Sequence, residues 1–89
     1  MSSRSVVIAS AVGLHARPAA LFVHAVAATG LPVTIAKENG NPVDARSILF
    51  VMTLGAKHGD TVTLATEGEG ADEALDSLVE LLSRDLDAE

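Results

Sequence analysis

The spacing of hydrophobic and polar residues predicts a strand followed by a helix at the start of the chain. A β-branched run at 6–8 favours a first strand over 4–10. The stretch 19–29 contains neither Gly nor Pro and is rich in Ala, Leu, Phe and Val, which favours a helix to about residue 28. Gly30 is positioned to cap the C-terminus of that helix.

A hairpin is predicted next. Val33 and Ile35 alternate with Thr34, which is typical of a strand over 32–37 with one solvated face. The tetrad 38–41, Glu-Asn-Gly-Asn, predicts a type I′ turn, because Asn-Gly readily adopts positive φ angles. A short third strand over 42–44 would follow this turn.

The segment 47–54 predicts a short second helix, capped by Ser47 and ended by Gly55. Its interior, 48–52, is five consecutive apolar residues, and one helix cannot turn all of them toward a core. Some apolar side chains are therefore expected to remain exposed. They would form a docking surface, or lie partly covered by a neighbouring loop.

The remaining pattern predicts a turn, a strand and a long helix. Residues 57–59 form the turn, 60–67 alternate apolar residues with Thr, and 67–70 form an acidic loop. The final helix spans 71 to about 86, with apolar residues at helical spacing: Leu75, Leu78, Val79, Leu82 and Leu86. The order βαββαβα, with Thr on alternate strand positions, predicts an open-faced two-layer α+β sandwich in a single domain over 1–89.

Composition restricts the function classes. The chain has 89 residues, a formal net charge of −6 and only six scattered Lys and Arg, so it lacks the basic stripe of a nucleic-acid surface. No apolar run reaches the length of a membrane span, and without cysteine there is no thiolate metal site. The spacing of His15, His24 and His58 does not favour a shared metal site. We expect a cytoplasmic domain without membrane insertion, metal or cofactor.

The candidate chemistry lies in 13–20, Gly-Leu-His-Ala-Arg-Pro-Ala-Ala. Gly13 permits a turn, and Pro18 suits the first turn of a helix that begins at residue 16 or 18. His15 then lies at or just before a helix N-terminus, where unpaired backbone N–H groups favour a phosphate. Arg17 adds a planar cation suited to phosphate oxygens. A capping or solvent-facing role for His15 is the alternative interpretation.

This octet resembles the active-site signature of the HPr family, the histidine-containing phosphocarriers of the bacterial phosphoenolpyruvate-dependent sugar phosphotransferase system. The matching residues are Gly13, Leu14, His15, Ala16, Arg17 and Pro18, and the resemblance extends to 47–55 and to the length of the chain. It implies a four-stranded antiparallel sheet with three helices on one face. It also implies that His15 carries the phosphoryl group, and that Arg17 and the backbone of Ala16 and Arg17 stabilise it.

The resemblance further implies a relay. Enzyme I, charged by phosphoenolpyruvate, would phosphorylate His15, which would pass the group to the IIA component of a sugar permease. The protein would thus be a stoichiometric carrier and not an enzyme, and we expect a monomer. The residues matching the family's docking helix are Ile48, Leu49, Met52 and Gly55.

Two questions stay open at this level. A role as helix cap is enough to explain a serine at position 47. In some Gram-positive relatives, however, the matching serine is phosphorylated by an ATP-dependent kinase. Those relatives continue Ile-Met-Gly, where this chain has Ile48-Leu49-Phe50, so the kinase as a partner is the less favoured interpretation. A regulatory HPr-like protein, either in a nitrogen-type phosphorelay or as a binding partner only, is the alternative function. A small hydrolase or metal chaperone is disfavoured by the absence of cysteine and of a second catalytic group near His15.

Overall fold

The computed structural model describes residues 2–9, 13, 16–38 and 40–84. Within these residues, four strands form one sheet, and all of the paired strands run antiparallel. Their bounds are β1 Ser2–Val7, β2 Thr34–Lys37, β3 Val43–Asp44 and β4 Thr61–Thr66. The order across the sheet is β1-β4-β2-β3, so β4, the last strand in the chain, lies between β1 and β2. The predicted order βαββαβα is confirmed.

In the described part of the chain, three helices cover one face of the sheet and leave the other open. Their bounds are α1 Ala16–Thr29, α2 Ile48–Thr53 and α3 Ala71–Leu82. Strand side chains that face the helices are buried, as Ile35, Val62 and Leu64 are. On the open face, the hydroxyl groups of Ser5 and Thr63 form a hydrogen bond of 3.1 Å between neighbouring strands. The α+β open-faced sandwich is therefore confirmed.

Aliphatic side chains form nearly all of the core. Phe22 and Val26 of α1 are fully buried together with Val51 of α2, and α3 contributes three buried leucines. The packing of α1 against both other helices makes it the central element of the helical layer.

The hairpin between β2 and β3 differs from the prediction. A two-residue turn at 39–40 would place Ile35 opposite Asp44, but Ile35 pairs with Val43. Gly40 is not among the glycines with positive φ, which a type I′ turn would require, and its N–H donates to the carbonyl of Lys37 at 2.9 Å. Each β2 residue therefore pairs one position earlier on β3 than a two-residue Asn-Gly turn would place it. Asn39 lies outside the described residues.

The bounds of β1 and the end of α3 also differ from the prediction. β1 begins at Ser2 and ends at Val7, although Ile8 still donates to the carbonyl of Asp60 at 2.9 Å. α3 ends at Leu82 instead of about 86, and the Ser83 hydroxyl donates to the carbonyl of Glu80 at 2.8 Å. A serine that bonds to the preceding turn competes with the regular helical pattern, which the leucine spacing did not reveal. Leu86 lies outside the described residues.

Candidate functional site

Gly13 fixes the approach of the chain to α1. It is buried, with φ of 73°, in the left-handed region that favours glycine. A Cβ atom added there would lie 2.5 Å from the carbonyl oxygen of Ala56 and 2.8 Å from Cα of Lys57. Any side chain at this position would therefore collide with the backbone that follows α2. Gly13 is required by this close approach as well as by its φ angle.

The N-terminus of α1 lies directly after the candidate histidine. The helix begins at Ala16, so Pro18 occupies the third helical position, where its missing N–H would have had no partner within the helix. The backbone N–H groups of Ala16 and Arg17 belong to this first turn and point toward the N-terminal end. The turn contains no acidic residue that would repel an anion. His15 itself lies outside the described residues.

Arg17 is the cation of this turn. Its side chain is exposed, on the same helical turn as the Ala16 N–H group. Pro18 and Ala19, which follow it, are buried and anchor the start of α1 against the core. The sequence-predicted phosphate-binding residues that the structure describes, Ala16 and Arg17, thus lie together in the first turn of a helix.

The second helix presents an apolar surface. Ser47 is its N-cap, with its hydroxyl oxygen accepting a hydrogen bond from the N–H of Phe50 at 3.3 Å. Val51 is fully buried and anchors the helix. Of the predicted docking residues, Leu49 is 65% exposed and Ile48 and Met52 are each about 40% exposed (41% and 40%). The expectation that part of the apolar run stays exposed is confirmed.

On the described helices, two large exposed apolar side chains were missing from the predicted docking set. Phe50 is 50% exposed, more than Met52, and Leu21 of α1 is 38% exposed. The five-residue apolar run contained the signal for Phe50, because a helix that buries only one side must expose the rest. Leu21 could not be identified, since almost every residue of α1 is apolar and the pattern gives no preferred face. We call Ile48, Leu49, Phe50 and Met52 the α2 apolar surface.

The segment after α2 connects this surface to the loop before α1. Gly55, predicted to end the helix, has φ of 72° and is exposed. The next two residues, Ala56 and Lys57, are those that Gly13 contacts. The backbone that follows α2 therefore meets Gly13, three residues before α1, and the two helices pack against each other.

Ser47 lies next to an exposed ion pair. The Arg46 guanidinium donates to both carboxylate oxygens of Asp44, at 3.2 and 3.3 Å, and its backbone N–H donates to the same carboxylate at 2.9 Å. These hydrogen bonds lower the pKa of Asp44 and raise the pKa of Arg46. The backbone N–H of Ser47 donates to the Asp44 carbonyl at 3.2 Å, so this loop holds the cap residue in place.

The other two histidines are separate surface residues. His24 is exposed on α1, and His58 is exposed in the turn after α2. Within the described ranges, no group of three or more His, Cys, Asp or Glu side chains is arranged to hold a metal ion. None of the three described helices has the length and apolar character needed to cross a membrane.

Comparison with known proteins identifies the family. The family model described as the HPr component phosphorylation site of the phosphotransferase system matches residues 2–84. The chain belongs to the HPr family. It is 51% identical to the phosphocarrier protein HPr of Streptomyces coelicolor over 87 residues, which is 98% of this chain and 94% of that protein.

Other relatives extend the comparison. The crystal structure of HPr-C-His from Thermoanaerobacter tengcongensis superposes with a TM-score of 0.85 at 39% identity, and the match covers 92% of this chain and 91% of that chain. The chain is also 36% identical to the HPr-like protein Crh of Halalkalibacterium halodurans over 85 residues, 96% of this chain and the whole of that protein. The relatives of this chain thus include proteins named phosphocarrier protein HPr and a protein named HPr-like protein Crh.

Proposed function

We propose that this member of the HPr family carries a phosphoryl group on His15, received from phospho-enzyme I and passed to IIA components of sugar permeases. The observation that carries the proposal is the match of the family's phosphorylation-site model over 2–84, together with the Gly-Leu-His-Ala-Arg-Pro sequence immediately before and into α1. The relative from Streptomyces coelicolor is named a phosphocarrier, which supports the same role here.

The chemistry follows from the position of His15 before α1. A neutral imidazole nitrogen attacks phosphorus as the bond from phosphorus to its carrier group on enzyme I breaks, so one bond to phosphorus replaces another. This attack requires the neutral imidazole, because protonation removes the lone pair that forms the bond. The added group brings about −1.5 to −2 charges. The N–H groups of Ala16 and Arg17 and the guanidinium of Arg17 would stabilise those charges.

The carrier role requires reversible transfer without turnover of its own. Because the group must leave as readily as it arrives, the helix N-terminus and Arg17 must stabilise the phosphohistidine only moderately. We therefore assign the protein as a stoichiometric carrier and not as an enzyme. We further propose that it works in the cytoplasm as a monomer, and that 1–89 forms one domain.

Enzyme I and IIA would dock on the α2 apolar surface, with Gly55 at its edge. Apolar side chains that stay exposed on a small protein commonly mark a contact surface. Leu49→Asp is expected to slow transfer from enzyme I, since a carboxylate would have to be desolvated on docking. Thr53→Asp, on an exposed position of the same helix outside the α2 apolar surface, is the matched control. Equal rates for wild type and Leu49→Asp, with the fold intact, would contradict this assignment.

The decisive experiment incubates the protein with phosphoenolpyruvate and enzyme I. We expect an acid-labile, alkali-stable phosphate on the wild type and none on His15→Ala. Arg17→Met should accept the group more slowly, because a cation that stabilises the phosphate is lost. Phosphate on both wild type and His15→Ala would move the site elsewhere. None on either protein would favour a binding role.

A regulatory function is the second candidate, supported by the similarity to the HPr-like protein Crh. It would use the same fold, either in a nitrogen-type phosphorelay or through binding alone, and phosphorylation at Ser47 by a kinase would belong to it. Mass spectrometry of protein isolated from cells grown on different carbon sources tests this. Phosphate found at Ser47 would support regulation, whereas its absence under every condition would leave Ser47 as a helix cap.

A further inference from the structure

The segment 55–60, which joins α2 to β4, is held at both of its ends by one side chain. We call this segment the supporting loop. The ammonium group of Lys37, at the end of β2, lies 3.4 Å from the carbonyl oxygen of Gly55 and 3.5 Å from a carboxylate oxygen of Asp60. Lys37 thus connects the first and the last residue of the supporting loop.

Asp60 continues the same connection within the loop. The carboxylate oxygen that faces Lys37 also accepts a hydrogen bond from the backbone N–H of Lys57 at 2.9 Å. The backbone N–H of Asp60 donates to the Lys57 carbonyl, also at 2.9 Å. These hydrogen bonds close a turn over 57–60. The hydrogen bond from the Lys57 N–H and, after it, the charge of Lys37 lower the pKa of Asp60. Its carboxylate therefore stays ionised at neutral pH.

The supporting loop is also bonded to the end of β1. The N–H of Gly59 donates to the Ile8 carbonyl, and the N–H of Ile8 donates to the Asp60 carbonyl, each at 2.9 Å. Between its two fixed ends lie Ala56 and Lys57, the residues whose backbone Gly13 contacts. A shift of the supporting loop would therefore be transmitted by direct backbone contact to the residue from which the chain proceeds to His15.

We propose that Lys37 and Asp60 are positioning residues for phosphoryl transfer: they fix the supporting loop, which in turn fixes Gly13 and the entry to α1. The inference rests on the proposed carrier function of His15. Neither residue touches the phosphoryl group. They act through the position of Gly13 and the start of α1, between which His15 lies in the sequence, and small displacements of a reacting group reduce the rate of transfer strongly. Both side chains are about one third exposed (37% and 35%), so removing them should alter this geometry while leaving the buried core intact.

The test compares single-turnover transfer from phospho-enzyme I in Lys37→Met and Asp60→Asn. Asn retains an oxygen that can accept from the Lys57 N–H, so Asp60→Asn removes mainly the charge. We expect the saturating rate to fall about threefold to tenfold, with the half-saturating enzyme I concentration unchanged within about twofold. Loss of docking alone would raise that concentration instead. Lys37→Arg, which keeps a cation at this position, should restore most of the rate.

Arg4→Met is the matched control. It removes a different partly exposed cation, which lies away from the supporting loop. The carboxylate partners of Arg4 are Asp72 and Asp76. The saturating rate of Arg4→Met should equal that of the wild type. Wild-type rates in both Lys37→Met and Asp60→Asn, or an equal loss in Arg4→Met, would overturn the proposal.

A structural readout separates this inference from the carrier function. The amide resonance of Gly13 should shift, and hydrogen exchange at Gly59 should become faster, in Lys37→Met but not in Arg4→Met. If the wild type accepts no phosphoryl group, the carrier function fails, and these two signals still decide whether Lys37 fixes the loop. Unchanged signals overturn the inference even when the wild type is phosphorylated normally.

Discussion

The helices α2 and α3 differ in how many of their large apolar side chains they bury. α3 buries Leu75, Leu78 and Leu82 and exposes acidic residues on its other side. α2 has six residues, buries only Val51 and exposes four large apolar side chains. The requirements of folding explain α3 completely, because its apolar stripe faces the sheet. They do not explain α2, whose exposed side chains lower solubility without adding to the core, and this difference favours a binding role for α2.

The two helices also begin differently. α2 starts with the Ser47 cap, whereas α3 follows Gly70, which has φ of 82° and offers no side chain to cap the helix. Asp72 and Glu73 in the first turn of α3 instead place negative charge near its N-terminus. A long helix with a buried face can rely on packing, but a six-residue helix with one buried side chain depends more on its cap.

The largest effect on stability is expected for Leu78→Ala in α3. Leu78 is 1% exposed, and its truncation should lower the free energy of unfolding by about 2 to 5 kcal/mol. Urea unfolding followed by circular dichroism measures this. Transfer rates, taken at a temperature where the variant is folded, should stay at the wild-type value. A loss of less than about 1 kcal/mol would mean that α3 is not the better packed helix.

Leu49→Ala removes the same atoms from α2 and should give the opposite result. Because Leu49 is 65% exposed, the free energy of unfolding should change by less than about 0.5 kcal/mol. If the α2 apolar surface docks enzyme I, transfer should slow by about 5-fold to 30-fold, which corresponds to about 1 to 2 kcal/mol of binding. Unfolding and transfer are measured on both Leu49→Ala and Leu78→Ala. If the two variants lose the same free energy of unfolding, the contrast between an exposed α2 and a buried α3 is wrong.

Ser47→Ala tests the dependence of α2 on its cap. Losing the acceptor for the Phe50 N–H should destabilise the protein by about 0.5 to 1 kcal/mol, measured by urea unfolding. Relative to the wild type, the rate of amide hydrogen exchange should increase more in α2 than in α3. Ser47→Thr, which keeps a hydroxyl, is the control. Equal protection of α2 in Ser47→Ala and wild type would show that the packing of Val51 alone maintains the helix.

The smallest effect concerns the acidic side of α3. A hydrogen bond from Ser2, and then the charge of Arg4, lowers the pKa of Asp72. A carboxyl group whose pKa is lowered on folding stabilises the protein above its unfolded pKa and loses that contribution as pH falls through the folded value. Stability should thus fall on acidification below about pH 4.

Arg4→Met should reduce this pH dependence slightly. Thermal unfolding between about pH 5 and about pH 3 measures it, with Arg4→Lys, which keeps a cation beside Asp72, as the control. The Arg4→Met variant should lose less stability over this range than the wild type, and Arg4→Lys should match the wild type. Identical acid slopes in Arg4→Met and the wild type would mean that Arg4 does not influence Asp72.

Local pattern was sufficient for most of the elements. The leucine spacing identified α3, and the apolar run 48–52 indicated both α2 and its exposure, because each depends on residues within one or two helical turns. The ends of the elements and the register of the hairpin were predicted less accurately. α3 ends at Leu82, where the hydroxyl of the next residue, Ser83, bonds to the Glu80 carbonyl. In the hairpin, Ile35 pairs with Val43, one position away from the partner that the Asn-Gly signal predicts. Strand pairing is decided by both strands and their packing, which a turn motif alone does not contain.

The sequence by itself determined the order of elements, the aliphatic core and the candidate signature from Gly13 to Pro18, because periodicity and motif are properties of neighbouring residues. Only the tertiary structure decided that Gly13 meets the backbone of Ala56 and Lys57, and that Lys37 bridges Gly55 and Asp60. These contacts join residues that are distant in the chain, and no local pattern encodes them. They arise because the sheet and the packing of α1 against α2 bring the end of one helix to the entry of the other.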